Sequence, residues 1–138
     1  AVQWACSVGI YNSCSMIIGH PNDTSDTIAQ TLAFAEELLK NGATSCTFNA
    51  LVPFPGTWIF ENRNNLSIKF TTDQWKDFHF LNPTFETPSL CDSDIRKHLI
   101  DGLLLWAKYK NNRDQINGRL RKRDAILLGN YLGRNIQG

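Results

Sequence analysis

Thiols and imidazoles are the side chains of this chain best suited to chemistry, and their spacing decides which chemistry is open to them. The four cysteines, Cys6, Cys14, Cys46 and Cys91, stand far apart, whereas zinc and iron–sulfur sites draw on ligand pairs about two to four residues apart. No metal ligand is therefore assigned. Cys14 and Cys46 fall inside apolar segments of strand character, where a reduced thiol behaves as a small hydrophobe. His20 stands in a Gly19-His20-Pro21 turn and is the histidine placed for a substrate-side role, because imidazole titrates near neutral pH. His79 and His98 read as structural or exposed, and no residue is assigned a catalytic role.

The elements that must position these groups follow from hydrophobic period and turn chemistry. The run from Ile10 to Ile18 is short, apolar and β-compatible, and ends at Gly19-His20-Pro21; it reads as a buried strand. Thr24 to Thr27 offers an N-cap with an acid in the first turn. Ile28, Leu32, Ala35 and Leu39 then recur at helical spacing until Asn41-Gly42. A second strand-length run, Ala43 to Val52, is closed by Pro53-Phe54-Pro55-Gly56-Thr57. Strand, helix, strand predicts a βαβ unit with parallel strands. Ile17, Leu32, Phe48 and Leu51 are expected to share its core, with Glu36 and Lys40 exposed.

Two parallel strands leave both sheet edges open, so further strands are expected upstream. In keeping with that, Ala1 to Val8 reads as the end of a helix, with Ala1, Ala5 and Val8 on one face and Gly9 terminating it. The chain is expected to be truncated at its N-terminus. Beyond Thr57, Trp58 to Glu61 suits a short helical turn. Residues 63–92 form an irregular connection for which Phe70, Trp75, Phe78, Phe80 and Phe85 are the expected packing anchors. Residues 93–138 are expected to be helical. Ile95, Leu99, Leu103 and Trp106 mark a first helix to about Lys110, and Ile116, Leu120, Leu127 and Tyr131 a second.

With 42% hydrophobic and 20% charged residues, the chain has the composition of a folded domain rather than of a disordered one. It holds no apolar run of the ~20 residues that a membrane span needs, and its first residues lack signal-peptide order, so the cytoplasm is the default compartment. The formal net charge is only +1, yet Lys108, Lys110, Arg113, Arg119, Arg121, Lys122, Arg123 and Arg134 crowd the C-terminal third. Such a tail most simply makes a solvated helical face. Contact with nucleic acid or an anionic surface is the alternative, disfavoured because Tyr131 is the one aromatic after Lys110.

Two motifs add a resemblance. Ser15 to Thr24, read as Ser-Met-Ile-Ile-Gly-His-Pro-Asn-Asp-Thr, is similar to a strand-loop-helix element late in the barrel of radical S-adenosylmethionine (SAM) enzymes. Asn49 to Thr57, with its Pro53-Phe54-Pro55-Gly56-Thr57, resembles the segment that follows the last barrel strand in the same family. The resemblance covers Ala1 to about Asn62. Trp75 and the helix from Ser93 more loosely resemble the branch with an upstream cobalamin-binding domain. It implies an α/β fold: residues 1–62 as the last two parallel strands and connecting helix of a partial (β/α)6 barrel, followed by the irregular segment and the C-terminal helices.

What the resemblance implies about function is a parent enzyme that holds a 4Fe-4S cluster and SAM and generates a 5'-deoxyadenosyl radical. The adenine would lie against Ile18, Gly19, Asn49 and Leu51, with His20 on the substrate side. The partners would be the upstream half of the same barrel, a substrate of unspecified class and a reducing electron donor. Two departures stand out: Asn22 occupies the place of the family's usual Gly, and Asp23 that of its Glu. Asn accepts left-handed backbone angles better than most residues. The family's Cys-x3-Cys-x2-Cys loop has no counterpart here; its place would lie before Ala1, so the isolated chain is expected to be inactive. A module that keeps the architecture without catalysis is the alternative.

Overall fold

A computed structural model describes the backbone of residues 1–117 and the side chains through Lys110. Helix α1 (Val2–Ser7) leads into strand β1 (Ser13–Ile18), helix α2 (Ser25–Lys40) and strand β2 (Ser45–Ala50). A short helix α3 (Trp58–Glu61), a small hairpin-like pair β3 (Lys69–Phe70) and β4 (Phe85–Glu86), and the long helix α4 (Asp92–Asn117) follow. β1 and β2 pair in parallel, with Cys14 beside Cys46, Met16 beside Phe48 and Ile18 beside Ala50. The expected βαβ unit is thus present, with strands shorter than the apolar runs. β1 begins at Ser13 rather than Ile10, because the Ile10 amide is used to close α1 by donating to the Ala5 carbonyl at 2.8 Å.

α2 starts where its chemistry dictates: the Thr24 hydroxyl accepts from the Thr27 amide and the Thr27 hydroxyl from the Thr24 amide, a reciprocal capping box. It buries Ile28, Ala35 and Leu39 against the sheet, and α4 adds Ile95 and Leu99 to the same layer. Both helices cover one face, formed by Met16, Ile18, Cys46, Phe48 and Ala50. The expected core set is corrected on this point. Phe48 is buried, but Ile17 is 57% exposed and Leu51 lies on Ile17's side of the sheet. Side chains alternate along a strand, and the observed register puts Met16 beside Phe48 and Ile17 beside Asn49. Glu36 is corrected too: it is half-buried, accepting from the Tyr109 hydroxyl at 2.8 Å. Lys40 is exposed as expected.

Val2 packs α1 against the core, while Val8 is exposed. In the connection, Phe85 is buried and Phe70 and Phe78 form a ring cluster with it, Phe60 and Phe54 at centroid distances of 5.7 to 6.5 Å. Trp75 packs beside Phe78 at a centroid distance of 4.9 Å, though it is 61% exposed, and Phe80 is 60% exposed. α4 runs unbroken through Asn117, so the break expected near Lys110 is absent and Ile116 belongs to this helix. Leu120, Leu127, Tyr131 and the cations from Arg119 to Arg134 lie outside the described residues. Of the other basic residues, Lys108 reaches Glu36 at 3.4 Å and Lys110 lies 4.6 Å from the Trp106 ring centre. No helix among the described residues is long and apolar enough to cross a membrane.

Candidate functional site

The face of the sheet turned away from the helices is uncovered. It carries Ser13, Ser15 and Ile17 from β1, and Ser45, Thr47 and Asn49 from β2, joined across the strands. The Ser45 hydroxyl donates to the Ser13 hydroxyl at 2.8 Å, and the Asn49 carboxamide Nδ2 donates to Ser15 Oγ at 3.1 Å. Toward the C-terminal strand ends this face deepens into a concavity of about 490 Å³, walled by Ile17, Leu51, Val52, Phe54 and Phe80, with Ser15 and Asn49 as its polar members. Such a mostly apolar hollow with few polar groups is the usual form of a small-molecule site.

Phe80 arrives from the connection, not from the βαβ unit. Its carbonyl accepts from the Ala50 amide at 2.6 Å, which fixes the connection against the outer edge of β2. On the other strand, the Ile18 carbonyl accepts from the Leu51 amide at 2.9 Å. Beyond Ile18 the chain turns at Gly19, whose φ of 90° suits glycine. A Cβ there would stand 3.3 Å from the Ile95 side chain, so Gly19 also lets α4 approach. Asp23 Oδ2 accepts from the amides of Gly19 at 3.0 Å and His20 at 2.8 Å. The shorter acid at this position thus reaches both loop amides. Asn22 needs no left-handed backbone, since among the described residues Ser67 is the non-glycine residue with positive φ.

The sequence-derived positions separate into two groups. Asn49 and Leu51 meet in the concavity. The Ile18 side chain is fully buried under the helices, Gly19 is buried at the turn, and His20 is exposed, its Nδ1 accepting from the Asn22 amide at 3.3 Å. Ser15 and Ile17 were missed, although their place four and two residues before Gly19 puts them on one strand face. Phe80 had no local signal, because only the tertiary fold brings it to β2.

Among the described residues no three His, Cys, Asp or Glu side chains converge on a metal-sized site. Cys46 is buried and its thiol is pushed up to about 11 by burial, with the neighbouring Cys14 adding to the effect, which disfavours a thiolate ligand. Cys91 hydrogen-bonds Asp94 through its thiol at 2.9 Å and its amide at 3.1 Å, holding that carboxyl below the usual range. His98 stands with its Nδ1 3.7 Å from Asp101 Oδ2. The described residues therefore do not fit an iron–sulfur cluster.

Over 101 residues, 72% of its length, the chain is 30% identical to an uncharacterised methyltransferase of Pyrococcus horikoshii. It spans 21% of that relative's length. No family model and no solved structure matches the chain.

Proposed function

We propose that this chain forms part of the wall of a radical SAM enzyme that transfers methyl groups. The observation that carries the reading is the parallel βαβ unit whose helices cover one face while the other holds a hollow at the C-terminal strand ends. Ligands in parallel α/β architectures collect at those ends. The likeness to a methyltransferase supports SAM as the bound cofactor, and the two family-like motifs flank the hollow. The partial (β/α)6 barrel, completed by an upstream half of the same protein, belongs to this proposal.

The hollow fits the adenosyl portion of SAM better than it fits the cluster. Ile17 and Leu51 offer apolar surface to a flat ring, and Asn49, whose Nδ2 is held by Ser15, presents its Oδ1 as an acceptor for an exocyclic amine. The Ile18 and Gly19 backbone would border the ring through the strand end. A 4Fe-4S cluster, when held by the upstream part, would supply the electron that cleaves SAM. This chain's residues contribute position and the exclusion of water.

Anaerobic reconstitution tests the reading. The 138-residue chain is expected to bind no stable cluster and to release no 5'-deoxyadenosine. The full-length polypeptide is expected to do both, and Asn49→Ala in it should raise the KM for SAM about tenfold, the effect of one lost hydrogen bond of ~1.4 kcal/mol. A full-length, cluster-loaded protein that leaves SAM intact with and without added substrates would favour a module that kept the architecture and lost the catalysis.

A further inference from the structure

Two of the four free cysteines stand directly opposite each other in the parallel ladder, Cys14 on β1 beside Cys46 on β2. Both side chains point to the face that the helices cover, since Cys14 is in phase with Met16 and Ile18, and Cys46 with Phe48 and Ala50. Paired strands lie about 4.8 Å apart, inside the ~4.4–6.8 Å between Cα atoms that a disulfide spans. The thiols already meet: Cys46 keeps its proton chiefly through burial and then through the Cys14 thiol, which hydrogen-bonds it. The other two cysteines sit elsewhere. Cys6 belongs to α1, and Cys91, just ahead of α4, is engaged by Ser93 and Asp94, each at 2.9 Å.

The opposed thiols differ in access. Cys14 is half-buried at the margin of the core, whereas Cys46 is buried under α2 with its thiol aimed at the Ala35 carbonyl. A small oxidant arriving from solvent meets Cys14 first. The sulfenic acid so formed has the Cys46 thiol beside it.

We propose that Cys14 and Cys46 are an oxidisable dithiol, in which a peroxide oxidises Cys14 and Cys46 then closes a reversible disulfide between β1 and β2. In the first step the Cys14 sulfur takes a hydroxyl from hydrogen peroxide. The O–O bond breaks, an S–O bond forms, and the thiol proton leaves with the second oxygen as water. In the second step the Cys46 sulfur attacks the Cys14 sulfur, the S–O bond breaks, and the departing hydroxyl carries away the Cys46 proton as a second water. The two thiols lose two electrons, which the peroxide gains. Exchange with a dithiol reductant restores both thiols. The disulfide stops Cys14 short of irreversible sulfinic acid. It rests on the pairing of β1 with β2, and not on SAM or the cluster.

Thiol mapping of the full-length protein tests it. The protein is treated with hydrogen peroxide and quenched in acid, and its free thiols are alkylated during unfolding, before digestion and mass spectrometry. The expected product is a linked pair of peptides carrying Cys14 and Cys46, lighter by two hydrogens than the reduced pair and absent after dithiothreitol. In Cys46→Ala, Cys14 should instead be trapped by dimedone as sulfenic acid and proceed to sulfinic acid. In Cys14→Ala, Cys46 should stay reduced. Should either variant lose its native far-UV circular dichroism, the linked peptide of the unaltered protein decides alone. Cys14 and Cys46 still reduced once the exposed Cys6 and Cys91 are fully oxidised would overturn the proposal. So would a link that forms only in denaturant, or Cys14 bonded to any cysteine other than Cys46.

Discussion

Cys46 and Tyr109 show how single side chains report their surroundings. Cys46, on β2, faces α2 with its thiol directed at the Ala35 carbonyl, 3.9 Å away, and burial first, then Cys14, pushes it up to about 11. At pH 8 such a group is about one part in a thousand thiolate. Timed alkylation of the native protein at that pH, read by mass spectrometry, should therefore label the exposed Cys6 and Cys91 long before Cys46. Early labelling of Cys46 would place it outside the core. Tyr109 acts on Glu36, whose carboxyl is lowered chiefly by the tyrosine hydroxyl, with Lys40 and Lys108 assisting. A carboxyl lowered in the folded state stabilises it above the unfolded pKa, and that contribution is lost as pH falls through the folded value. Tyr109→Phe should raise the Glu36 pKa measured by NMR and narrow that acid-side window.

At the scale of elements, α4 owes its closeness to β2 to Gly102. Glycine weakens a helix interior by about 0.5–1 kcal/mol relative to alanine, so Gly102→Ala ought to stabilise α4 taken alone. In the fold, however, an added Cβ would overlap the Phe48 ring, and overpacking of a filled core costs about 1–3 kcal/mol. Packing should win over propensity, and denaturant unfolding should find the variant less stable. A more stable variant would show that α4 stands farther from the sheet. The sequence announced α4 through Ile95 and Leu99 but gave no sign of this contact, because a mid-helix glycine carries no hint of the ring it faces. The helix entry points were more legible. Thr24 and Gly42 act through neighbours a few residues away, so their chemistry is local.

For the molecule as a whole, the decisive feature is which sheet face holds the core. Phe48→Ala should cost about 3–5 kcal/mol, as for large buried aromatics, whereas Ile17→Ala in the same chain should cost at most about 0.5 kcal/mol, as for an exposed position. Equal losses in chemical denaturation would mean that both faces are covered in solution. Residue types alone were enough to specify the parallel βαβ unit, the capped start of α2, the glycine-closed helix ends and the place of Asn49 and Leu51 at a strand end, since each depends on short spacings and turn chemistry. They could not choose the buried face. Met16, Ile17 and Ile18 are consecutive and apolar, so the alternation has no contrast from which to read its phase. The pairing of Met16 with Phe48, the ring's fit against Gly102 and the arrival of Phe80 at β2 made that choice, because each joins residues distant in the chain whose contact exists only once the helices have packed.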